Sequence, residues 1–360
     1  MKLLAWGWQS LSVVLKSGSQ TIESSIAESA PMSHNPSLTR LQGVLVGHHS
    51  LSDRPTGCSV VICPEGTVGG VDVRGAAPGT RETDLLAPHN SVPHVHAVLL
   101  AGGSAFGLDA ASGVMKWLEQ QGRGIPVGPV RVPIVPAAVI FDLGVGDPRI
   151  RPDPMSGWLA CEDANQAPVT TGSVGAGAGA TLGKVFGPQL AMKGGIGSAA
   201  LTVSGVTVAA LVVVNALGDV VDPTNGRILA GARKKASGLE LQDTVSSQLQ
   251  GLSTGLMSAG GNTTIGVIAT DAVLNKSQAH RLAQIGHNGL ARTIRPVHTP
   301  WDGDTLFALG TGQSGVAADM MLLSTLASEV TALAVLNAVA SAKGLRLVSG
   351  EWWPSAQDIR

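Results

Sequence analysis

The chain contains no tyrosine, and aromatic residues make up only 3% of its 360 residues. A core this poor in rings is filled by small side chains, and 47 glycines point to close backbone packing and tight turns. Charge is scarce too: 14% of residues are charged and the formal net charge is −1. That balance gives no electrostatic reason to expect nucleic acid or an acidic surface as partner. Three cysteines are present, Cys58, Cys63 and Cys161. They lack metal-ligand spacing and cannot all pair with one another, so they read as small buried hydrophobes of a reducing, cytoplasmic compartment.

Other signatures are missing as well. Apolar stretches such as Val206–Leu217 fall short of the roughly 20 residues that a membrane span requires. Val316–Ala342 is long enough, but Asp319 and Glu329 interrupt it, and it reads as a buried helix. No Gly-x-Ser-x-Gly elbow anchors a Ser-His-Asp hydrolase. Gly183-Lys184 precedes Val185 where a phosphate loop needs Ser or Thr, and Ala178 stands in place of its first Gly. Gly175–Ala180 meets a loose dinucleotide pattern without a strand-to-helix unit around it. His280 and His287 share a helix face two turns apart, too far for one metal. No cofactor and no metal is expected.

What is present begins at the N-terminus with Lys2 and an apolar run, Leu3–Leu15, that faintly resembles a secretory signal. The core-like pattern starts only near Leu41. Residues 1–40 are therefore read as an extension, disordered or preceding a true start at Met32, and 41–360 as a single catalytic domain. Short strands are expected at Val44–Val46, Cys58–Cys63, Val71–Val73 and His96–Ala101. A helix follows at Leu108–Gln121. Val130–Phe141, broken by Pro133 and Pro136, suits an edge or irregular strand. Ser198–Val203 and Val206–Val214 form a hairpin around Ser204-Gly205. The segment from Ile228 to Gly261 turns polar and reads as a solvated linker. A strand (Thr263–Thr270), a helix (Asn275–Arg292), a strand (Thr305–Leu309) and a long helix (about Ala317 to Ala342) complete a layered sheet-and-helix order.

The chemistry is sought at Gly261-Asn262-Thr263-Thr264, where small and polar residues precede a Thr that opens a β-branched run. A Thr at the head of a strand is ordinary. It becomes a nucleophile if the preceding bond breaks, because the new α-amino group, with a free pKa of about 7.7–8.0, lies beside the hydroxyl and can act as its base. Downstream, Asp302-Gly303-Asp304 puts two carboxylates at i and i+2 on one side of an extended segment. Like charges that close drive their ionisations apart unless a cation lies between them, and a new N-terminal ammonium is such a cation. The same residues also fit a surface turn. Asn215 ends an apolar run and is either a strand-end cap or an oxyanion donor. Lys184 is either a solvated loop residue or a cation that orients the nucleophile.

Six ordered motifs then resemble one family, the self-cleaving DmpA-type aminopeptidases, which include β-peptidyl aminopeptidases and the nylon-oligomer endohydrolase. The motifs are Arg74–Thr80, Ala101–Leu108, Pro136–Asp142, Gly175–Gly179, Asn262–Ile265 and Asp302–Phe307, within a match from about Leu41 to Lys343. The resemblance implies an α/β (α+β) four-layer αββα sandwich, similar to N-terminal-nucleophile hydrolases but differently connected. It implies a precursor cut between Asn262 and Thr263 into chains 1–262 and 263–360 that stay together as a homo-oligomer of processed pairs. Thr263 would be the nucleophile, Asp302 and Asp304 its supporting acids, Asn215 an oxyanion or amine contact, and Lys184 a further site residue. Phe141, Gly102 and Gly103 would line the substrate pocket, with Phe141 standing where the nylon-oligomer enzyme has Tyr. The expected activity is hydrolysis of small peptides or amino-acid amides through an acyl-enzyme, without nucleic acid or membrane as partner. Two other readings stay open: an acyl transferase of the ornithine acetyltransferase type, and an unprocessed small-molecule binding protein.

Overall fold

Residues 35–252 and 261–359 are described by the computed structural model. Ten strands build two five-stranded sheets: β1 (Leu45–Ser50), β2 (Gly57–Ile62), β3 (Val68–Val73), β4 (Thr80–Arg81), β5 (Ala97–Ala101), β6 (Ala137–Val139), β7 (Gly195–Val203), β8 (Val206–Asn215), β9 (Thr263–Thr270) and β10 (Thr305–Gly310). The first sheet runs β1-β2-β5-β6-β4 and the second β7-β8-β9-β10-β3. Each has one parallel pair, β5 with β6 and β9 with β10, and is otherwise antiparallel.

Side chains alternate across a strand, and here both faces of the sheets are covered. On β8, Val208, Ala210, Val212 and Val214 enter one core while Ala209, Leu211 and Val213 enter another. The second of these cores fills the space between the sheets, meeting Val61, Val98, Leu100 and Ala138 of the first sheet. The outer face of the first sheet packs on α1 (Ala110–Gln120) and α2 (Pro154–Asp163). A six-residue helix, α3 (Thr244–Leu249), stands apart from the layers. The outer face of the second sheet packs on α4 (Lys276–Thr293) and α5 (Met320–Ser341). The order is αββα. Although α5 is long and apolar enough to cross a membrane, Leu326, Val330, Ala334 and Ala338 are buried in the helix-on-sheet core.

Because both faces of β8 are apolar, hydrophobicity alone does not set its register. The two-residue turn Ser204-Gly205 does, with φ of 52° and 78°, the positive pair that a tight hairpin demands. The pairing of β8 with β9 on its other edge then sets Asn215 opposite Thr263.

The main elements fall where the sequence puts them, with four differences. The Ala137–Val139 strand is interior rather than an edge, since Pro136 ends before the ladder and β4 pairs along its far side. The helix α2 was not anticipated from its mixed composition; Asp153 and Ser156 form a capping box around Pro154 in its first turn. The polar segment after Ile228 is built into the fold as far as residue 252: Arg233 is fully buried, with its guanidinium on the carbonyls of Gln189 and Ala236. Residues 253–260, the rest of that expected linker, lie outside the described residues. Finally, the packed chain begins before Leu41, because Leu38 is fully buried and its N–H donates to Ser198 Oγ at 2.8 Å.

Candidate active site

Thr263 opens β9, and the peptide bond before it lies between two fixed strands. On one side Thr263 pairs with Asn215 of β8; on the other Asn262 bridges in parallel to Asp302, just before β10. Two donors converge on the Asn262 carbonyl oxygen: the Gly303 N–H at 3.0 Å and the Thr263 hydroxyl of the next residue. Both Asn262 and Thr263 are buried. A carbonyl held by a backbone N–H beside a hydroxyl has the elements of an oxyanion site and a nucleophile.

The Arg74–Thr80 motif clamps this arrangement. The Arg74 and Gly75 N–H groups donate to the Asp304 carbonyl at 2.9 and 3.1 Å, and the Ala77 N–H to the Asp302 carbonyl at 2.9 Å. Glycine is required at two points of this contact. A Cβ on Gly75 would lie 2.3 Å from the Asp304 nitrogen, and one on Gly303 would lie 3.0 Å from Thr263 Oγ and 2.8 Å from the Ala77 oxygen.

The two acids are buried and differently held. Asp304 Oδ1 accepts from the Thr264 N–H at 2.6 Å, while Oδ2 contacts His298 Nδ1 at 2.7 Å and accepts from its N–H at 3.2 Å. Asp302 Oδ2 accepts from the Thr299 N–H at 2.7 Å. Burial first, and the Asp304 charge second, push the Asp302 carboxyl up to about 6.

Lys184 approaches from the opposite side. Its Nζ donates to the Asn215 carbonyl and side-chain oxygens, each at 3.1 Å, and to the Gly261 carbonyl at 3.3 Å. Loss of hydration pushes its ammonium down to about 7, against the pull of Asp302 and Asp142. The Asn215 Oδ1 also accepts from the Thr181 N–H at 3.0 Å, and Nδ2 donates one hydrogen to the Phe141 carbonyl at 3.1 Å. Beside these groups opens a cavity of about 190 Å³ lined by Phe141, Lys184, Leu217, Asn262 and Trp353 among others.

Seven of the expected residues are therefore brought together around one peptide bond: Thr263, Asn262, Asn215, Lys184, Asp302, Asp304 and Phe141. Gly102 and Gly103 do not line that cavity; they close on Asp142, whose Oδ1 accepts the Gly103 N–H at 2.8 Å and pairs with buried Arg54 at 2.9 Å. Sequence reasoning assigned no role to the Gly303 N–H or to His298. The first is a backbone group with no residue-type signature. The second sits four residues before Asp302, and only a turn with positive φ at His298 returns its ring to Asp304. Among the described residues, no three His, Cys, Asp or Glu side chains cluster to hold a metal.

This fold with this site defines a hydrolase of peptide or amide bonds. The chain belongs to peptidase family S58, which it matches over residues 36–352. It is 46% identical over 319 residues to an uncharacterized aminopeptidase of Mycobacterium tuberculosis (strain ATCC 25618 / H37Rv), covering 85% of this chain and 90% of that one. It is 31% identical over 313 residues to the 6-aminohexanoate-oligomer endohydrolase of Kocuria sp. (strain KY2), covering 82% and 84%. The L-aminopeptidase D-Ala-esterase/amidase of Ochrobactrum anthropi, described as a variant of the Ntn hydrolase fold, superposes with a TM-score of 0.68 at 18% identity over 89% and 91% of the two chains.

Proposed function

We propose that the protein is a self-processing amide hydrolase whose nucleophile is Thr263, acting on small peptides or amino-acid amides. The observation that carries this reading is the convergence of the Thr263 hydroxyl and the Gly303 N–H on the Asn262 carbonyl. In the first stage Thr263 Oγ attacks the Asn262 carbonyl carbon. The oxyanion stays on the Gly303 N–H, and Lys184, close to neutral at pH 7, takes the hydroxyl proton. The Asn262–Thr263 C–N bond breaks as the nitrogen gains a proton, leaving an ester on Oγ. Water hydrolyses the ester to an Asn262 carboxylate and a free Thr263 amine and hydroxyl.

In the second stage that amine is the base. It removes the Oγ proton as Thr263 attacks the substrate amide, the leaving amine takes the proton, and water resolves the acyl-enzyme. Asp302 and Asp304 hold the amine in place, and the acyl group enters the cavity beside Phe141 and Lys184. Hydrolysis is favoured over acyl transfer because the named relatives include an aminopeptidase and an oligomer endohydrolase.

Intact-protein mass spectrometry of the wild type beside Thr263→Ala tests the reading. Two fragments meeting at Asn262/Thr263 are expected from the wild type and a single chain from the variant. A wild-type chain that stays whole while folded, or a variant that is cut as fast, rules it out.

A further inference from the structure

The two acids of the site differ in how many donors each receives. Three N–H groups are available to Asp304, from Thr264 at 2.6 Å, the His298 ring at 2.7 Å and the His298 backbone at 3.2 Å. Asp302 receives one, from Thr299 at 2.7 Å. Donors stabilise the ionised form of a carboxyl, and two close carboxyls resist ionising together. The uneven donor set therefore leaves Asp304 the more firmly held of the two and Asp302 the freer.

We infer that His298 is the positioning residue that makes this division: its ring and backbone N–H fix the Asp304 carboxyl in place, and Asp302 is left to gain and lose the proton. The inference rests on the Thr263 reading above, since these acids matter only if they serve that nucleophile.

The surroundings of His298 fit the role. Its backbone φ of 55° is one that few side chains adopt, and it turns the ring back onto Asp304. Nδ1 carries the hydrogen that the carboxylate accepts. Nε2 is out of reach of solvent and has no hydrogen-bond partner among the described residues. From α4 the fully buried His287 stands edge-on to the ring, 4.8 Å between centroids. His287 Nε2 donates to the Asp72 carbonyl at 3.1 Å, and burial first, with the His298 charge second, pushes it down to about 4. It is therefore neutral and adds no competing cation. The remaining charges stand further along: Asp72 and Arg74, paired at 2.7 Å at the end of β3, and Lys184, which acts on Asp302. The ring meets one carboxylate directly, that of Asp304.

The test measures hydrolysis of an amino-acid anilide by the processed enzyme at pH 6 and pH 8, for wild type, His298→Leu and His298→Asn, with processing of each checked by intact-protein mass spectrometry. Without the ring, the Asp304 carboxyl is no longer held in place, and Asp302 exchanges its proton in altered surroundings. The Leu variant should therefore lose about tenfold at pH 6 and less than threefold at pH 8. Asn tolerates positive φ and offers an amide N–H in place of Nδ1. It should restore the wild-type ratio of the two rates. A structural role alone would lower both rates by one factor, and a Leu variant with the wild-type ratio overturns the inference. If the Leu variant does not fold, Asp302→Asn gives the answer independently. It should flatten the dependence between pH 5 and 7, and retention of the wild-type dependence overturns the assignment. A wild type that is never cut overturns the Thr263 reading itself, a separate result.

Discussion

Lys184 and Lys193 flank the short Pro188–Leu190 turn, and loss of hydration pushes both ammonium groups down to about 7. Their partners separate them. Lys193 is fully buried and donates to three carbonyls, those of Gly177, Ala180 and Gly194, at 3.2, 2.8 and 3.3 Å. All three belong to the glycine-rich backbone that carries Thr181 to Asn215. Lys184 keeps part of its surface on the cavity, contacts the residue before the scissile peptide, and responds to Asp302. A lowered lysine pKa by itself thus marks no catalytic group. On the proposed reading the one that touches the Asn262–Thr263 segment is functional, and the other is a structural group that ties the Gly177–Ala180 backbone to the short Met192–Lys193 strand.

The largest test of that difference is Lys184→Met. Removing the amine beside the Asn262–Thr263 bond should slow precursor cleavage by at least about a hundredfold, the lower end of what general acid–base catalysis contributes. Any residual cleavage should lose its rise through pH 7. Lys193→Met should leave the cleavage rate of folded chains within about threefold. Equal losses in both variants would erase the distinction and return Lys184 to a structural role.

Stability should divide the other way. In a Thr263→Ala background, chosen to keep the chain whole, Lys193→Met strands buried carbonyls. Each unsatisfied buried acceptor costs roughly 1–3 kcal/mol, and two of these carbonyls keep other partners, Gly177 through the Ala180 N–H and Ala180 through the Gly194 N–H. Denaturant unfolding should thus show a net loss of about 2 kcal/mol, with a smaller change for Lys184→Met. The pH dependence has a definite sign. A lysine with a depressed folded pKa binds its proton more readily when unfolded, so its contribution is present above the ordinary value of 10.5 and is lost as pH falls towards 7. Each Met variant should remove part of that slope between pH 10 and 7. An unchanged slope in Lys193→Met would show that its amine is hydrated.

The same contrast explains what the sequence made legible. Strands and helices were readable because their apolar faces recur with period: β9 runs from Thr263 to Thr270 as expected, and α4 starts one residue past its Asn275 cap. Thr263, Asn215, Lys184, Asp302 and Asp304 were legible as types suited to acyl chemistry, and the family resemblance gave them roles. Their meeting point was not. It depends on the β8–β9 ladder that sets Asn215 against Thr263, on the parallel β9–β10 pairing, and on the Arg74–Ala77 clamp, all contacts between distant segments. Arg233 misled for a related reason. A basic cluster followed by Ser and Gln looks solvated, yet its guanidinium is the buried tie between residues 189 and 236.

The smallest effect concerns Phe141. On sequence, the missing Tyr hydroxyl leaves the oxyanion to Asn215, a backbone N–H or water. The structure narrows that choice. Asn215 gives one Nδ2 hydrogen to the Phe141 carbonyl and makes no side-chain hydrogen bond to the Asn262 carbonyl among the described residues, whereas the Gly303 N–H lies on that carbonyl at 3.0 Å. If Gly303 carries the developing charge, Phe141→Tyr adds a donor to an oxyanion that has one, and cleavage should rise less than about threefold. A single oxyanion donor that is truly missing is worth roughly 2.7–4 kcal/mol, or about a hundredfold or more in rate. A rise of that size in Phe141→Tyr would mean that Gly303 leaves the carbonyl as the transition state forms. The Lys184 side of the site, where Phe141 stands, would then hold the charge as well as the base.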